Sequence, residues 1–181
     1  YEKFKKKFVQ LARKYRKVGP KLDEECSMGP LISEPEAIRV KEWIDEAVAS
    51  GAKLLCGGKR KGSVVTPAAL EGIKPKCRLA CDEVFGPAVG LYPFRTADEA
   101  IRKANNVNYG LLAGVFTSNV ETALKVSQEL DCGGVMVNES SDYRLDAMPF
   151  GGVKLSGLGR EGIRFALQEM TEPKVVCFNQ K

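Results

Sequence analysis

Histidine is absent from this chain of 181 residues. Its absence excludes Ser–His and Cys–His nucleophile pairs, histidine acid–base chemistry and most zinc sites from this stretch of sequence. No segment approaches the roughly eighteen consecutive apolar residues of a membrane span. The first residues, YEKFKKKF, carry charges where a signal peptide has an apolar run. The sequence therefore predicts a cytoplasmic protein with no membrane partner.

The cysteines also lack the spacing of a disulfide framework or of a metal site, since no two of them form a CxxC pair. A chain of this size does not need disulfides for its stability. We therefore expect buried free thiols and no metal ligands at the six cysteines, which are Cys26, Cys56, Cys77, Cys81, Cys132 and Cys177.

The net charge of +5 comes largely from lysines and arginines in the first segment. Phe4, Phe8, Leu11 and Tyr15 recur there at helical spacing, which predicts an inward apolar face and an opposite basic face. A nucleic-acid surface would interleave basic residues with exposed aromatics, so we interpret the charge as a solvated helix face and expect no nucleic-acid partner. No capping residue precedes this helix, and we expect the chain to be a piece of a longer polypeptide.

Capping residues predict three further helices. Ser33 with Glu36 and Thr96 with Glu99 match the capping box, and Asn119 precedes a third periodic segment. The alternation of strands and helices between Ala88 and Asn138 predicts a parallel sheet and an α/β fold. The first two predicted strands flank GGKRKG and are expected to form a hairpin. Strands are predicted at Leu54–Cys56, Ser63–Pro67, Ala88–Phe94, Ala113–Thr117 and Gly134–Asn138.

The segment from Pro149 to Gly162, PFGGVKLSGLGREG, contains five glycines. Its last six residues spell G-x-G-x-x-G, the dinucleotide fingerprint. A true fingerprint needs a second strand and an acidic residue about twenty positions later, but only nineteen residues follow Gly162. Glu161 would also place a carboxylate where a pyrophosphate binds. We expect these glycines to let the loop pack tightly rather than to bind phosphate.

Five motifs in order resemble those of the aldehyde dehydrogenase superfamily, and the resemblance runs from Tyr1 to about Phe178. It implies a three-layer α/β catalytic domain with a parallel, Rossmann-like sheet, of which residues 1–181 would be the incomplete C-terminal portion. The motifs are Met28-Gly-Pro-Leu-Ile32, Glu83-Val-Phe-Gly-Pro87, Asn108-Tyr-Gly-Leu111, Val137-Asn138 and the segment from Phe150 to Glu161, FGGVKLSGLGRE.

The resemblance implies an oxidoreductase that uses NAD or NADP to convert an aldehyde to a carboxylic acid through a cysteine thioester. The family's nucleophilic cysteine, general-base glutamate and adenine-binding domain all precede the segment that matches Tyr1. We therefore expect no catalytic residue in this chain and no activity from it alone. The segment Lys174–Phe178 is a candidate strand for oligomerisation, and the complete enzyme is expected to be a homo-oligomer.

Four matching positions are implied to contact ligands. Glu83 would accept hydrogen bonds from the nicotinamide ribose, and Phe85 would pack beside the nicotinamide. Phe150 would line the aldehyde tunnel. The segment from Ser140 to Met148 is closest to enzymes acting on lactaldehyde, glyceraldehyde 3-phosphate or succinate semialdehyde, in which an arginine matching Arg144 binds the anionic end of the substrate.

Three alternatives remain open from the sequence. Arg144 could instead pair with Asp142 or Asp146 to hold its own loop. The chain could be a catalytically dead binding or assembly module on the same fold. The complete enzyme could also transfer the acyl group to coenzyme A rather than to water.

Overall fold

The structure, a computed structural model, describes residues 1–14, 18–19 and 22–180. They form two compact units, Tyr1–Pro93 and Phe94–Lys181. The first unit contains α1 (Glu2–Ala12), α2 (Glu34–Ala49), β1 (Lys53–Cys56), β2 (Arg60–Lys61), β3 (Val64–Val65), β4 (Ala68–Glu71), α3 (Arg78–Cys81) and β5 (Ala88–Leu91). The second contains α4 (Ala97–Asn105), β6 (Tyr109–Gly110), β7 (Leu112–Val115), α5 (Val120–Glu129), β8 (Gly134–Val137), β9 (Val153–Lys154) and α6 (Ile163–Glu169).

The first unit is built on a mixed sheet in the order β1-β4-β5. Strand β4 is antiparallel to β1 and parallel to β5. The predicted pairing of Leu54–Cys56 with Ser63–Pro67 is wrong, because β1 pairs with β4 and the hairpin is the shorter β2–β3 pair. Strand β4 contains three consecutive buried residues (68–70). Their burial at the centre of the sheet stabilises the pairing of β1 with β4 more than the shorter connection of the predicted hairpin would.

Helix α2 covers this sheet with one apolar face. The Ser33 side chain accepts a hydrogen bond from the Glu36 amide at 3.4 Å, as the capping box predicted. Among the apolar residues at helical spacing in α2, Val48 is the exception to burial, since it is 40% exposed. Trp43 is buried as well. The buried residues of α2 are Ala37, Val40, Trp43, Ile44 and Ala47.

The predicted orientation of the first helix is wrong over its described part. Phe4 and Leu11 are 60% and 51% exposed, and Phe8 is half-buried. The side that meets the sheet is polar, since the Lys5 ammonium lies 2.9 Å from a carboxylate oxygen of Glu71 on β4. This ammonium holds the pKa of Glu71 below its usual range. Periodicity showed which residues share a face but not which face meets the sheet. The fourth residue of the stripe, Tyr15, lies outside the described residues.

The second unit has a parallel pair, β7 and β8, joined through α5. The caps predicted for α4 and α5 are present: Thr96 accepts from the Glu99 amide at 3.2 Å, and Asn119 accepts from the Thr122 amide at 2.8 Å. The three strands predicted between Ala88 and Asn138 are present as β5, β7 and β8. However, β5 belongs to the sheet of β1 and β4, whereas β7 pairs with β8. The parallel pairs therefore lie in two sheets.

No strand is assigned over residues 171–180 in the described chain, and Val175 and Phe178 are 91% and 86% exposed. A strand requires a hydrogen-bonded neighbour, so the oligomerisation strand at Lys174–Phe178 stays a prediction. Within the residues that the structure describes, no helix combines the length and the apolar character needed to cross a membrane.

Candidate cofactor and substrate sites

The loop between α3 and β5 presents Glu83 and Phe85 outward. Both side chains are exposed, whereas the intervening Val84 packs against the core beneath α2. Glu83 has no hydrogen-bond or ion-pair partner within the described part of the chain. An exposed carboxylate and an exposed aromatic ring, two residues apart on an anchored loop, fit the hydroxyl groups of a ribose and the flat face of a heteroaromatic ring.

The backbone of this loop is strained at Phe85, whose φ is +45°. A bulky residue in this left-handed region costs on the order of 1–3 kcal/mol, which the surrounding structure must offset. Gly86 contributes to this offset because it lets the loop backbone pack closely against α2. A Cβ at this position would lie 2.7 Å from Val40 Cγ2. The Pro87 carbonyl accepts from the Ala68 amide at 2.8 Å, which ties the end of the loop to β4.

Arg39 on α2 holds the middle of the same loop. Its Nη2 donates to the Val84 carbonyl at 2.9 Å. Glu36 orients the guanidinium by accepting from its Nε at 2.8 Å, and the ring of Trp43 lies 4.6 Å from its central carbon. Sequence reasoning missed this residue. The signal was available, because Glu36, Arg39 and Trp43 recur at spacings of three and four residues and so share one face of a helix.

The second unit brings together the two residues predicted to bind the aldehyde. The Arg144 guanidinium stacks 4.2 Å from the ring centroid of Phe150. Its Nη2 lies 3.4 Å from a carboxylate oxygen of Glu161, a side chain that is 72% exposed. Phe150 and Glu161 also exchange two backbone hydrogen bonds. The alternative pairing of Arg144 with Asp142 or Asp146 is wrong for the described residues, because the carboxylate that contacts Arg144 is that of Glu161.

The glycine-rich segment folds against itself. Arg160 donates to the carbonyls of Gly152 and Gly159 at 3.0 and 2.7 Å. A Cβ on Gly151 would lie 2.7 Å from the carbonyl oxygen of Gly159. Tight packing therefore explains Gly151, as the sequence predicted. It does not explain Gly157, where nothing lies within 4 Å of an added Cβ and the positive φ of +136° instead favours glycine. The helix that follows, α6, spans only seven residues.

A family model for the aldehyde dehydrogenase family matches residues 1–176. The chain belongs to the aldehyde dehydrogenase family. It is 45% identical over 162 residues to the 3-sulfolactaldehyde dehydrogenase of Priestia megaterium, a match that covers 90% of this chain and 34% of that protein.

Two solved aldehyde dehydrogenases have the same fold. Aldehyde dehydrogenase 21 of Physcomitrella patens, solved with the reaction product succinate, superimposes with a TM-score of 0.93 at 39% identity and covers 95% of this chain and 36% of its own. The glyceraldehyde-3-phosphate dehydrogenase of Methanocaldococcus jannaschii, complexed with NADP, gives 0.87 at 41% identity, covering 93% and 36%.

These comparisons confirm the predicted fold class. The structure is an α/β part of the aldehyde dehydrogenase catalytic domain, with mixed sheets where the sequence predicted a continuous parallel one. The chain spans about a third of the length of these relatives, 34% to 36%. The activity of the whole protein is therefore taken up below as a proposal.

The six cysteines are free thiols, as expected, but only Cys77 is buried, and Cys177 is exposed. The Cys81 thiol donates to the Cys77 carbonyl at 3.2 Å, and partial burial, followed by the charge of Asp82, raises its pKa. The Cys132 thiol donates to the Gly134 carbonyl at 3.3 Å, and burial likewise raises its pKa. A raised pKa disfavours the thiolate, which is the nucleophilic form. Neither thiol therefore has the chemistry of an activated nucleophile.

Proposed function

We propose that this chain is part of an NAD(P)-dependent aldehyde dehydrogenase that oxidises an aldehyde to a carboxylic acid. The nucleophilic cysteine and the general-base glutamate lie outside residues 1–181 in this proposal. The observation that carries it is the loop of Glu83 and Phe85, held outward on a core-anchored backbone in a member of this family. A structural neighbour complexed with NADP supports the choice of cofactor.

Glu83 and Phe85 form the proposed cofactor site. The Glu83 carboxylate accepts hydrogen bonds from ribose hydroxyls, and Phe85 covers one face of the nicotinamide and excludes water there. When bound, NAD(P) supplies the hydride acceptor for the oxidation. The residues of this chain orient the cofactor and leave the nucleophilic step to residues outside it.

Arg144 and Phe150 form the proposed aldehyde site, and we propose a substrate with an anionic end. Three relatives support this choice by name, since sulfolactaldehyde, succinate and glyceraldehyde 3-phosphate carry a sulfonate, a carboxylate and a phosphate. The planar guanidinium suits such groups. Its contact with Glu161 is exposed and therefore weak, so an incoming anion can replace that carboxylate at small cost.

The proposal extends to location and assembly. All six cysteines are free, which fits a reducing compartment such as the cytoplasm. The exposed apolar segment at Lys174–Phe178 fits pairing with a second subunit, because an extended segment with unpaired backbone groups can add to a sheet edge. The complete enzyme is then a homo-oligomer in the cytoplasm.

The first test is a chimeric enzyme in which this chain replaces the matching segment of the Methanocaldococcus jannaschii relative. We expect aldehyde-dependent NADPH formation from the chimera and none from the isolated chain. Replacing Glu83→Gln in the chimera should raise the KM for NADP+ by about tenfold, since a hydrogen bond to a charged group contributes about 1.5–3 kcal/mol. Steady-state kinetics measure both effects.

Asp82→Asn is the matched control, because it removes the neighbouring exposed carboxylate and should leave the KM for NADP+ within about twofold. NADPH formation by the isolated chain would contradict the proposal that the nucleophile and the general base lie outside residues 1–181. An equal rise in KM for both variants would contradict the role of Glu83.

The second test concerns the anionic end of the substrate. In the chimera, Arg144→Met should lower kcat/KM for succinate semialdehyde by about 30- to 100-fold and change that for propionaldehyde by less than about threefold. The reason is that only the anionic substrate loses a charge-assisted contact. Rates measured with the two aldehydes, at equal cofactor concentration, give the ratio.

Arg164→Met is the control for this substitution, because Arg164 is an exposed arginine of the same unit and its loss changes the net charge equally. We expect the substrate ratio of Arg164→Met to stay within about twofold of the parent. If Arg144→Met lowered the rates with both aldehydes alike, the anion-binding role would be rejected.

A further inference from the structure

We propose that Arg39 is a positioning residue for the cofactor, acting through the Val84 carbonyl on the loop that presents Glu83 and Phe85. The inference rests on the proposed function, because it concerns the same loop. Arg39 itself lies on α2 and belongs to none of the motifs that carry the family resemblance.

The geometry makes Arg39 a brace between a helix and a strained loop. Its Nη2 lies 2.9 Å from the Val84 carbonyl oxygen and 2.7 Å from the Glu36 carboxylate. A guanidinium holds several donors in one plane, so a single group joins the helix carboxylate to the loop backbone. The Arg39 side chain is 27% exposed, which limits competition from water for these bonds.

The aromatic ring below fixes the position of the guanidinium. Trp43 lies on the next turn of α2, with its ring centroid 4.6 Å from the central carbon of Arg39. Arg78 approaches the same ring at 5.3 Å and pairs with Glu46. Arg78 has no described bond to the loop from Glu83 to Pro87, so it shares the packing of Arg39 but not its contact.

The position of the brace explains why it matters for ligand binding. Val84 lies between the two proposed cofactor contacts, and the next residue, Phe85, has the unfavourable φ of +45°. Without Arg39 the loop keeps the Val84 side chain and Gly86 against the core but loses its central backbone anchor. Phe85 can then relax to ordinary backbone angles, and the two outward side chains lose their fixed orientation.

The first readout needs no cofactor. In the isolated chain, hydrogen–deuterium exchange of the backbone amides at residues 82–88 should become about tenfold faster in Arg39→Met, because a charged donor is lost from a partly buried carbonyl. Arg39→Lys, which keeps the charge and a donor, should restore part of the protection. Arg78→Met should leave exchange in this segment unchanged.

The second readout is the split between kinetic constants in the chimeric enzyme. Arg39→Met should raise the KM for NADP+ by about tenfold, while kcat and the KM for the aldehyde stay within about twofold. Arg39→Lys should give an intermediate value, and Arg78→Met should match the parent.

Each outcome decides a separate point. If Glu83→Gln raises the KM for NADP+ and Arg39→Met changes neither readout, the positioning role is wrong and the proposed function stands. If Glu83→Gln has no effect, the cofactor assignment of the loop fails, whereas faster exchange in Arg39→Met would still support the brace. Equal effects of Arg39→Met and Arg78→Met would assign the change to Trp43 packing and overturn the proposal. Should Arg39→Met fail to fold, the intermediate values of Arg39→Lys provide the same test.

Discussion

Replacing Gly133 with alanine should lower the free energy of unfolding of the second unit by more than about 4 kcal/mol. A Cβ at this position would lie 1.6 Å from the carbonyl oxygen of Gly151 and 3.0 Å from that of Leu111. Both are backbone atoms, so no side-chain rotation can relieve the overlap. The Gly133 amide also donates to the Leu111 carbonyl at 2.8 Å, and that bond would be lost if the segment moved away.

The effect would reach the proposed aldehyde site. Gly151 directly follows Phe150, and Gly133 directly precedes β8, so this contact holds the substrate loop against the strand. Urea unfolding followed by far-UV circular dichroism measures the loss. Gly157→Ala is the matched control: nothing lies within 4 Å of its Cβ and only its φ of +136° is strained, so it should cost about 1–2 kcal/mol. A loss at Gly133 no larger than this would contradict the packing argument.

Leu70→Ala should destabilise the first unit by about 3 kcal/mol, within the usual range for a leucine truncated in a packed core. Leu70 is 0% exposed and lies on β4, the central strand of the sheet. The chain has a single tryptophan, Trp43, which belongs to the same unit. Its fluorescence during urea unfolding therefore reports this unit rather than the other.

Leu54→Ala provides the comparison, because Leu54 is paired directly opposite Leu70 on β1 and is 38% exposed. Its truncation should cost about 1 kcal/mol, since less apolar area leaves water on folding. Similar losses for the two variants would mean that β4 does not form the centre of the core.

Interactions between residues close together in the chain were predicted most accurately from the sequence. Ser33, Thr96 and Asn119 each cap the helix predicted from them. A cap depends on a side chain and an amide within three residues, so the sequence contains both partners of the interaction. The same reasoning found the glycine-rich segment and rejected its match to a dinucleotide fingerprint, because that test needs only the order of elements.

Pairings between distant residues were less predictable. The partner of β1 and the orientation of the first helix differed from expectation, and the carboxylate that pairs with Arg144 is Glu161 rather than either aspartate considered as an alternative. In each case several strands, faces or carboxylates could satisfy the local pattern. The stacking of Arg144 on Phe150 at 4.2 Å brings together two residues that the sequence had selected separately.

The sequence by itself determined the α/β class and the family, because these depend on motifs and on short-range periodicity, and through the family resemblance it selected the pair of Glu83 and Phe85. Only the tertiary structure decided what holds that pair in place. Arg39 lies 45 residues before the carbonyl it binds, so its spacing with Glu36 and Trp43 shows a shared helix face but not the contact with Val84, which forms only when folding brings α2 to the loop. The same folding makes Phe85 adopt a positive φ, which no pattern in the residues around it required.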